Sequence, residues 1–526
     1  MSGRVWSWLL PRPASFFPLA PRQGGEGRGE GAPVIENPLT LTLSPVPGAR
    51  GIERKGARGK RHMATVVLAL LLPALTACEV GPDYKRPPAE TPPAYKELDG
   101  WKQATPQDAG SNAAWWSVYK DPVLDGLMRQ IDISNQNLIA SEAAYRQALA
   151  ITAQAWSNLF PTLSANAGAQ RVGQGGMSGT GVISVGGSLS WEIDLWGQIR
   201  RNIESASASA QASGAQLAGV RLSAQAALAT NYFELRIADD LQSLLNATVV
   251  AFARSLQITQ NRYDAGTAAK TDVASAETQL ESTRAQAIDV GVGRAQFEHA
   301  IAVLIGKPPS ELSIAPLPKF AIAPPSVPVG VPSELLERRP DIASAERLMA
   351  SANAQVGVAV AAFFPTITLT GSYGYVGPAL SGLLSVSNAV WAVGPQLAFT
   401  VFDAGNLSAQ LEQARQVYNQ NVALYRQTVL TGFQQVEDQL VALRLLEQEA
   451  VVEDKAVQAA ILAEQLTLND YEAGTVDYTA VITAQTNSLN NQQTALAIMQ
   501  NRILADVLLI QALGGGWNVT QMPPGG

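Results

Sequence analysis

Residues Tyr263–Thr278 read YDAGTAAKTDVASAET, and residues Tyr471–Thr486 read YEAGTVDYTAVITAQT. Eight of the sixteen aligned positions are identical, at an offset of 208 residues. A repeat at this spacing constrains the chain more than its composition does, because each half must fold into the same unit. Each motif closes a long helical pattern. From Ile199, apolar or small residues recur at Ile203, Ala206, Ala210, Ser213, Leu217, Val220, Ala224 and Ala227, in strict steps of four and three. This is a heptad seam, and it implies left-handed supercoiling. The pattern runs to about Tyr263 without a proline, and at ~1.5 Å per residue it would reach roughly 100 Å. A matching stretch spans Asn406 to Tyr471. Shorter return patterns span Thr271 to Ile305 and Thr479 to Leu513. Gly266 and Gly474 suit the left-handed position that ends a helix. Thr271 and Thr479 are the expected N-caps of the return helices. The repeat therefore predicts two coiled-coil hairpins with their tips at the two motifs.

Between these helices the period changes to two. In VISVGGSLSWEI, Ile183, Val185, Leu189, Trp191 and Ile193 point one way, while Ser184, Ser188, Ser190 and Glu192 point the other. TLSANAGAQ at Thr162 alternates more weakly. In TITLTGSYGY, Ile367, Leu369, Tyr373 and Tyr375 oppose Thr366, Thr368, Thr370 and Ser372. WAVGPQLAFTVF sets Trp391, Val393, Leu397, Phe399 and Val401 against Ala392, Gly394, Gln396 and Thr400. Apolar and aromatic residues on one face and small polar ones on the other, over about 9–12 residues, is the pattern of a transmembrane barrel strand. FPT opens each strand pair, at Phe160 and Phe364. Four strands are too few for a soluble sandwich core of this length.

Composition excludes other classes. The chain has two histidines, His62 and His299, and one cysteine, Cys78. That nearly rules out a metal site built on His and Cys, a disulfide framework or a Cys–His nucleophile. No P-loop, dinucleotide fingerprint or zinc-protease motif occurs, so neither an enzyme nor a cofactor is implied. The first 62 residues hold ten Lys/Arg and four Asp/Glu. From Cys78 onward that leaves 37 − 10 = 27 basic against 44 − 4 = 40 acidic residues. An acidic chain argues against a nucleic-acid partner.

The uncharged run Ala64–Ala77 is too short to span a bilayer, and Pro73 interrupts it. It follows a basic stretch and ends in LTAC, which resembles a bacterial lipobox. The resemblance implies that Cys78 is acylated and becomes the mature N-terminus. Glu79, in place of the Asp that retains lipoproteins in the inner membrane, implies the outer membrane of a Gram-negative bacterium.

CEVGPDYKRP at Cys78, WEIDLWGQIRR at Trp191, LLERRPDIASAE at Leu335, FFPTITLTGSYGY at Phe363, FDAGNLSAQLEQA at Phe402 and ALGGGW at Ala512 occur in this order. From about Cys78 to Trp517 the chain resembles an outer membrane factor of the TolC/OprM type, in the NodT-like efflux lipoprotein branch. The resemblance implies an α+β membrane protein with internal duplication and a homotrimer. Each chain would give four strands to a shared twelve-stranded barrel and its helices to a long α-helical periplasmic barrel. It also implies a passive export duct for small molecules in a tripartite pump, with a periplasmic adaptor and an inner-membrane transporter of the RND type. It assigns adaptor docking to the tips at Gly266, Thr267, Gly474 and Thr475, and the periplasmic constriction to the second tip. Relatives often carry Asp where this chain has Ala480 and Thr483. Asp477, Tyr478, Thr479 and Thr483 are therefore the constriction candidates.

The expected divisions are an extension (1–62), a signal core (63–77), a lipid-anchored extended leader (78–120), a first efflux repeat (121–315), a proline-rich linker (316–332), a second repeat (333–517) and a tail (518–526). Two other functions fit parts of this sequence. The same fold could serve protein secretion, and a coiled-coil surface protein would explain the heptads but not the alternating strands.

Overall fold

The computed structural model describes residues 79–97, 114–173, 175, 179–317, 319–320 and 335–521. The extension, the signal core, Cys78 and most of the proline-rich linker lie outside the described residues. Each half follows one order. The first has α1 (Pro122–Ser134), α2 (Gln136–Ser157), β1 (Thr162–Val172), β2 (Thr180–Ile193), α3 (Gln198–Asp264) and α4 (Lys270–Leu304). The second has α5 (Pro340–Ala361), β3 (Thr366–Gly377), β4 (Ala389–Ala398), α6 (Asn406–Ala473) and α7 (Tyr478–Ala512). A single-turn helix at Leu335–Arg338 precedes α5 and stands where α1 stands in the first half.

The 208-residue offset governs more than the tip motif. Three glycines with positive φ punctuate each half at that spacing: Gly197, Gly266 and Gly306 (φ 81, 75 and 68°), then Gly405, Gly474 and Gly514 (φ 92, 81 and 94°). The first of each trio precedes a long helix, the second closes it and the third follows the return helix. A side chain with a β-carbon is disfavoured at such φ. The strands match at a different offset, 364 − 160 = 204 for the FPT motif, so the two hairpins of the sheet differ in length by four residues.

The long helices bury part of their seams: Ile199, Ile203, Ala210 and Ala224 in α3, and Tyr425, Val429, Val436, Leu440 and Leu443 in α6. α3 packs along α4, α5 and α2, and α6 packs along α7 and α5. Ala208, Ala210, Ala212 and Ala215 are buried in α3, which lets α3 and α5 approach closely. Ser351 of α5 bridges Ser205 (2.9 Å) and Ser209 (2.8 Å) of α3. Asp194 accepts hydrogen bonds from the Ile199 and Arg200 amides, and Asp403 from the Gly405 and Leu407 amides. These carboxylates satisfy donors that the first turns of α3 and α6 would otherwise leave unpaired.

The sheet is antiparallel in the order β1-β2-β3-β4. The predicted fourth strand ran on to Phe402, but β4 stops at Ala398. Its last partner is Thr366, where β3 begins behind Pro365, so β3 offers no further ladder partner to Phe399 to Phe402.

Two core clusters hold the helices, the first taking in Ile503, Val507 and Ile510 of α7 beside residues of the first half. Leu124, Met128, Leu228, Tyr232, Phe233, Leu235, Ile301 and Ile305 belong to one. Ile342, Met349, Tyr425, Val429, Val436, Leu440 and Leu509 belong to the other. Asn135 joins elements in the first half. Its amide donates to the Leu304 carbonyl at the end of α4 (2.6 Å), and its oxygen caps α2 by accepting from the Leu138 amide (2.9 Å). In the second half Arg339 donates to the Ala512 carbonyl at the end of α7 (2.9 Å).

One carboxyl inside the first core is not in an ion pair. Tyr119 donates to Asp506 at 2.5 Å, and burial pushes the Asp506 carboxyl up to about 7 although this hydrogen bond acts the other way. An unfolded Asp titrates near 4. The folded chain therefore holds a proton that the unfolded chain releases, and the stability from this group falls as pH rises from about 4 to about 7. Asp506→Asn keeps an acceptor for Tyr119 and removes the proton. Thermal unfolding in detergent should show the wild type losing more stability between pH 5 and pH 8 than Asp506→Asn. Parallel pH profiles would refute this account.

Candidate functional site

Two parts of the fold bear on function: the faces of the sheet and the hairpin tips. Register aligns like with like across all four strands. On one face Thr162 pairs with Ser190 and Ser164 with Ser188. Ser190 in turn meets Thr370, Glu192 meets Thr368 and Ser188 meets Ser372, and Thr368 meets Gln396. On the other face Leu163 pairs with Leu189, Trp191 with Leu369, Ile193 with Ile367, Tyr373 with Trp391 and Ile367 with Leu397. The apolar face is uncovered: Leu163 is 79% exposed, Trp391 73%, and Val393 and Leu397 69% each. Aromatic rings gather where strands meet helices. Trp191 donates to the Leu159 carbonyl (2.9 Å), and Trp196 donates to the Pro365 carbonyl (2.7 Å) and stacks on Phe364. Amphipathic rings at the end of an apolar band suit a membrane–water boundary.

At the tips, both long helices end in the same way. The Gly266 amide donates to the Tyr263 carbonyl and the Gly474 amide to Tyr471. Amide and hydroxyl of Thr267 both donate to the Arg262 carbonyl, and those of Thr475 both donate to Asp470. The returns differ. Asp477 caps α7 by accepting from the Ala480 amide at 3.0 Å. At α4 the boundary residue is Ala269, which has no side chain for capping, and Asp272 reaches back to accept from its amide (3.2 Å). Thr271 and Thr479, the expected N-caps, lie one residue inside their helices. Asp477 took that role at α7 because it sits at the boundary, whereas at α4 no side chain caps the first turn.

The two tips pack side by side. The Arg262 guanidinium lies over the Tyr471 ring, 4.4 Å from its centroid, and donates to the Tyr471 carbonyl. The Tyr471 hydroxyl donates to Thr259 (3.4 Å), and Gln485 donates to Ser255 (2.8 Å). The Tyr471 and Tyr478 rings lie 5.3 Å apart, in a cluster with Ala276 and Val481. Tyr478 is 2% exposed, and burial pushes its hydroxyl up to about 12. This corrects one expectation: Tyr478 is core between the hairpins and does not line a constriction. Asp477, Thr479 and Thr483 are exposed, with Thr483 donating to the Thr479 carbonyl one turn away. Sequence reasoning missed Arg262 and Tyr471. The tyrosine was visible as the first letter of the repeat, but its partner lies 209 residues away. Among the described residues no group of His, Cys, Asp and Glu could hold a metal ion.

A sheet polar on one face and apolar on the other, continuous with paired helical hairpins, defines a channel protein of the bacterial outer membrane. The outer membrane efflux protein family model matches residues 127–307 and 331–515, and the chain belongs to that family. Its function is that of the outer-membrane channel component of an efflux pump. The probable efflux pump outer membrane protein TtgC of Pseudomonas putida is 30% identical over 470 residues, covering 86% of this chain and 96% of its own. The solved outer-membrane channel OprN superposes with a TM-score of 0.78 at 29% identity, over 84% of this chain and 100% of its own. The open state of the MtrE channel of Neisseria gonorrhoeae gives a TM-score of 0.74 at 28% identity, over 84% and 99%.

The reassignment of Tyr478 can be measured. Tyr478→Ala empties a packed site between the hairpins and should cost about 3 kcal/mol or more. Thr483→Ala alters an exposed helix position and should stay within about 0.5 kcal/mol. Equal denaturation midpoints for the two variants would return Tyr478 to the surface.

Proposed function

We propose that three copies of this chain close one twelve-stranded barrel and that their helices continue it as a duct across the periplasm. The observation that carries this reading is the sheet itself: β1 and β4 each have one neighbour within the chain, while the apolar face stands uncovered. Hydrocarbon tolerates no open strand edge, so other copies must supply the missing partners. Two copies would give eight strands, a number whose interior fills with side chains, whereas a conduit needs more. The aligned Ser, Thr, Asn and Gln face then lines the bore. Transport is passive, with no catalytic step in this chain. An inner-membrane transporter supplies the drive, and a periplasmic adaptor docks on the tips at Gly266, Thr267, Gly474 and Thr475. Asp477, Thr479 and Thr483 line the constriction.

Lipid anchoring at Cys78 belongs to the same proposal. The described leader supports it. The Val80 amide donates to the Trp196 carbonyl, and the buried Arg201 guanidinium gathers Glu79, Asp83 and Glu204 within 3.3 Å. Glu79 therefore stands beside the aromatic junction at the end of the strands. Acyl chains on the preceding residue would reach the bilayer there, and several chains anchor firmly where one binds marginally.

Native mass spectrometry in detergent should report a trimer as the dominant species, and a dominant monomer or dimer would overturn the barrel assignment. Intact-mass analysis of the mature chain should find it beginning at Cys78 with lipid attached. An unmodified Cys78 thiol would remove the anchor and leave the barrel reading intact.

A further inference from the structure

We propose that the β3–β4 loop, residues 378–388, is a lipid-binding foot: it folds back over the apolar face of the sheet and seats Leu380, Leu384 and Val386 among the acyl chains of the outer leaflet. The inference rests on the channel reading above, which puts this end of the strands at the outer surface, and adds a contact to it.

One glycine shows which way the loop folds. Gly377 ends β3 and pairs with Ile183, so it falls in the alternation of Ile367, Leu369, Tyr373 and Tyr375 on the apolar face. A β-carbon built on Gly377 would meet the Leu383 side chain and the Asn388 amide, each at 3.2 Å. The loop therefore lies against the apolar face and leaves the polar one clear. Leu383 is buried in this contact, but three apolar side chains of the same loop have no cover: Leu380 is 75% exposed, Leu384 69% and Val386 91%.

The chemistry around them fits hydrocarbon. The eleven residues PALSGLLSVSN hold no Lys, Arg, Asp or Glu. The loop also answers many of its own polar groups. The Leu383 amide donates to the Leu380 carbonyl, the Ser385 amide to Gly382 and the Asn388 amide to Ser385. The Asn388 side chain donates to the Gly382 carbonyl at 3.0 Å, and the Ser385 and Ser387 hydroxyls pair at 2.9 Å. Water would make such internal pairing unnecessary, whereas hydrocarbon demands it. The exposed patch is continuous with the uncovered Tyr373, Trp391 and Val393 of the sheet.

Arg171 marks the level of the lipid headgroups. By the alternation that starts at Leu163, it is the one charged residue on the apolar face of the four strands. Its Nε donates to the Gly179 carbonyl at 2.9 Å, at the same end of the sheet as the loop. A long cationic side chain at the end of an apolar band reaches lipid phosphates while its stem stays in hydrocarbon. On the ladder Arg171 pairs with Gly181, two residues outside the Ile183–Gly377 pair. The loop thus reaches back inside the level that the arginine marks.

The test places a nitroxide label at Leu384→Cys, Val386→Cys and Val393→Cys, one at a time. Each full-length variant is reconstituted into vesicles of phosphatidylethanolamine and phosphatidylglycerol, and unsubstituted protein taken through the same labelling gives the background from Cys78. Collisions of the label with oxygen, which concentrates in hydrocarbon, are compared with collisions with a water-soluble nickel chelate. The expected result is that all three labels collide mainly with oxygen and lose nearly all collisions with the chelate. Chelate collisions dominating at Leu384 and Val386, with Val393 still met by oxygen, would overturn the foot and leave the barrel standing. Labels at Leu384 and Val386 shielded from both reagents would also overturn it, by showing that protein covers the loop. Chelate collisions dominating at Val393 would overturn the channel reading and the foot with it.

Discussion

A strand edge in hydrocarbon has no water to satisfy its amides and carbonyls. That constraint organises the rest of the structure. On the barrel reading proposed above, it makes a four-stranded sheet an incomplete object whose partners come from other copies of the chain. It also explains why the register matters more than the identity of any one strand residue. A slip of one residue in any pair would turn Ser190, Thr370 and Gln396 toward lipid and Trp191, Leu369 and Leu397 toward the bore. The cross-strand Gly186–Gly374 pair, in which a β-carbon on either residue would meet backbone of the other strand within 3.0 Å, ties β2 to β3 at one fixed distance.

Away from the sheet, the fold is held by charges that grip backbone. Asp239 and Asp240 accept from the amides of Leu317, Lys319 and Phe320, while Arg236 and Arg294 donate to the carbonyls of Ala315 and Ile314. The start of the connector between the halves is thereby fastened to α3 and α4. The leader is fastened in a similar way to the second half, where Glu437 accepts from the amides of Lys96 and Glu97 and Arg86 donates to Tyr425. Such extended segments have no ladder of their own, so side chains must answer their polar groups. The buried ion pairs here therefore set position more than they add stability.

Much of this was legible from residues alone. The alternation of four and three from Ile199 foretold α3, and the doubled YxAGT foretold both tips, because these signals depend on neighbours a few positions away. The strand faces were legible for the same reason. The end of β4 was not, since it is decided by where β3 starts. Nor were the tip contacts, since Arg262 and Tyr471 are brought together only by the packing of two hairpins. The N-caps failed for a subtler reason: Thr and Asp both cap helices well, and spacing alone could not rank Thr479 against Asp477. Tyr478 read as polar because it carries a hydroxyl, although its ring is what the core uses.

Duplication of sequence has not produced duplication of energy. One return helix begins on a carboxylate that accepts from the Ala480 amide, and the other begins on Ala269, where the Asp272 carboxylate instead reaches back to the Ala269 amide. A side-chain cap of this kind is worth on the order of 1 kcal/mol, and it is present at α7 and absent at α4. On the docking role proposed above, a partner would then meet two chemically unlike tips: one return helix opened by the Asp477 carboxylate and one opened by Ala269.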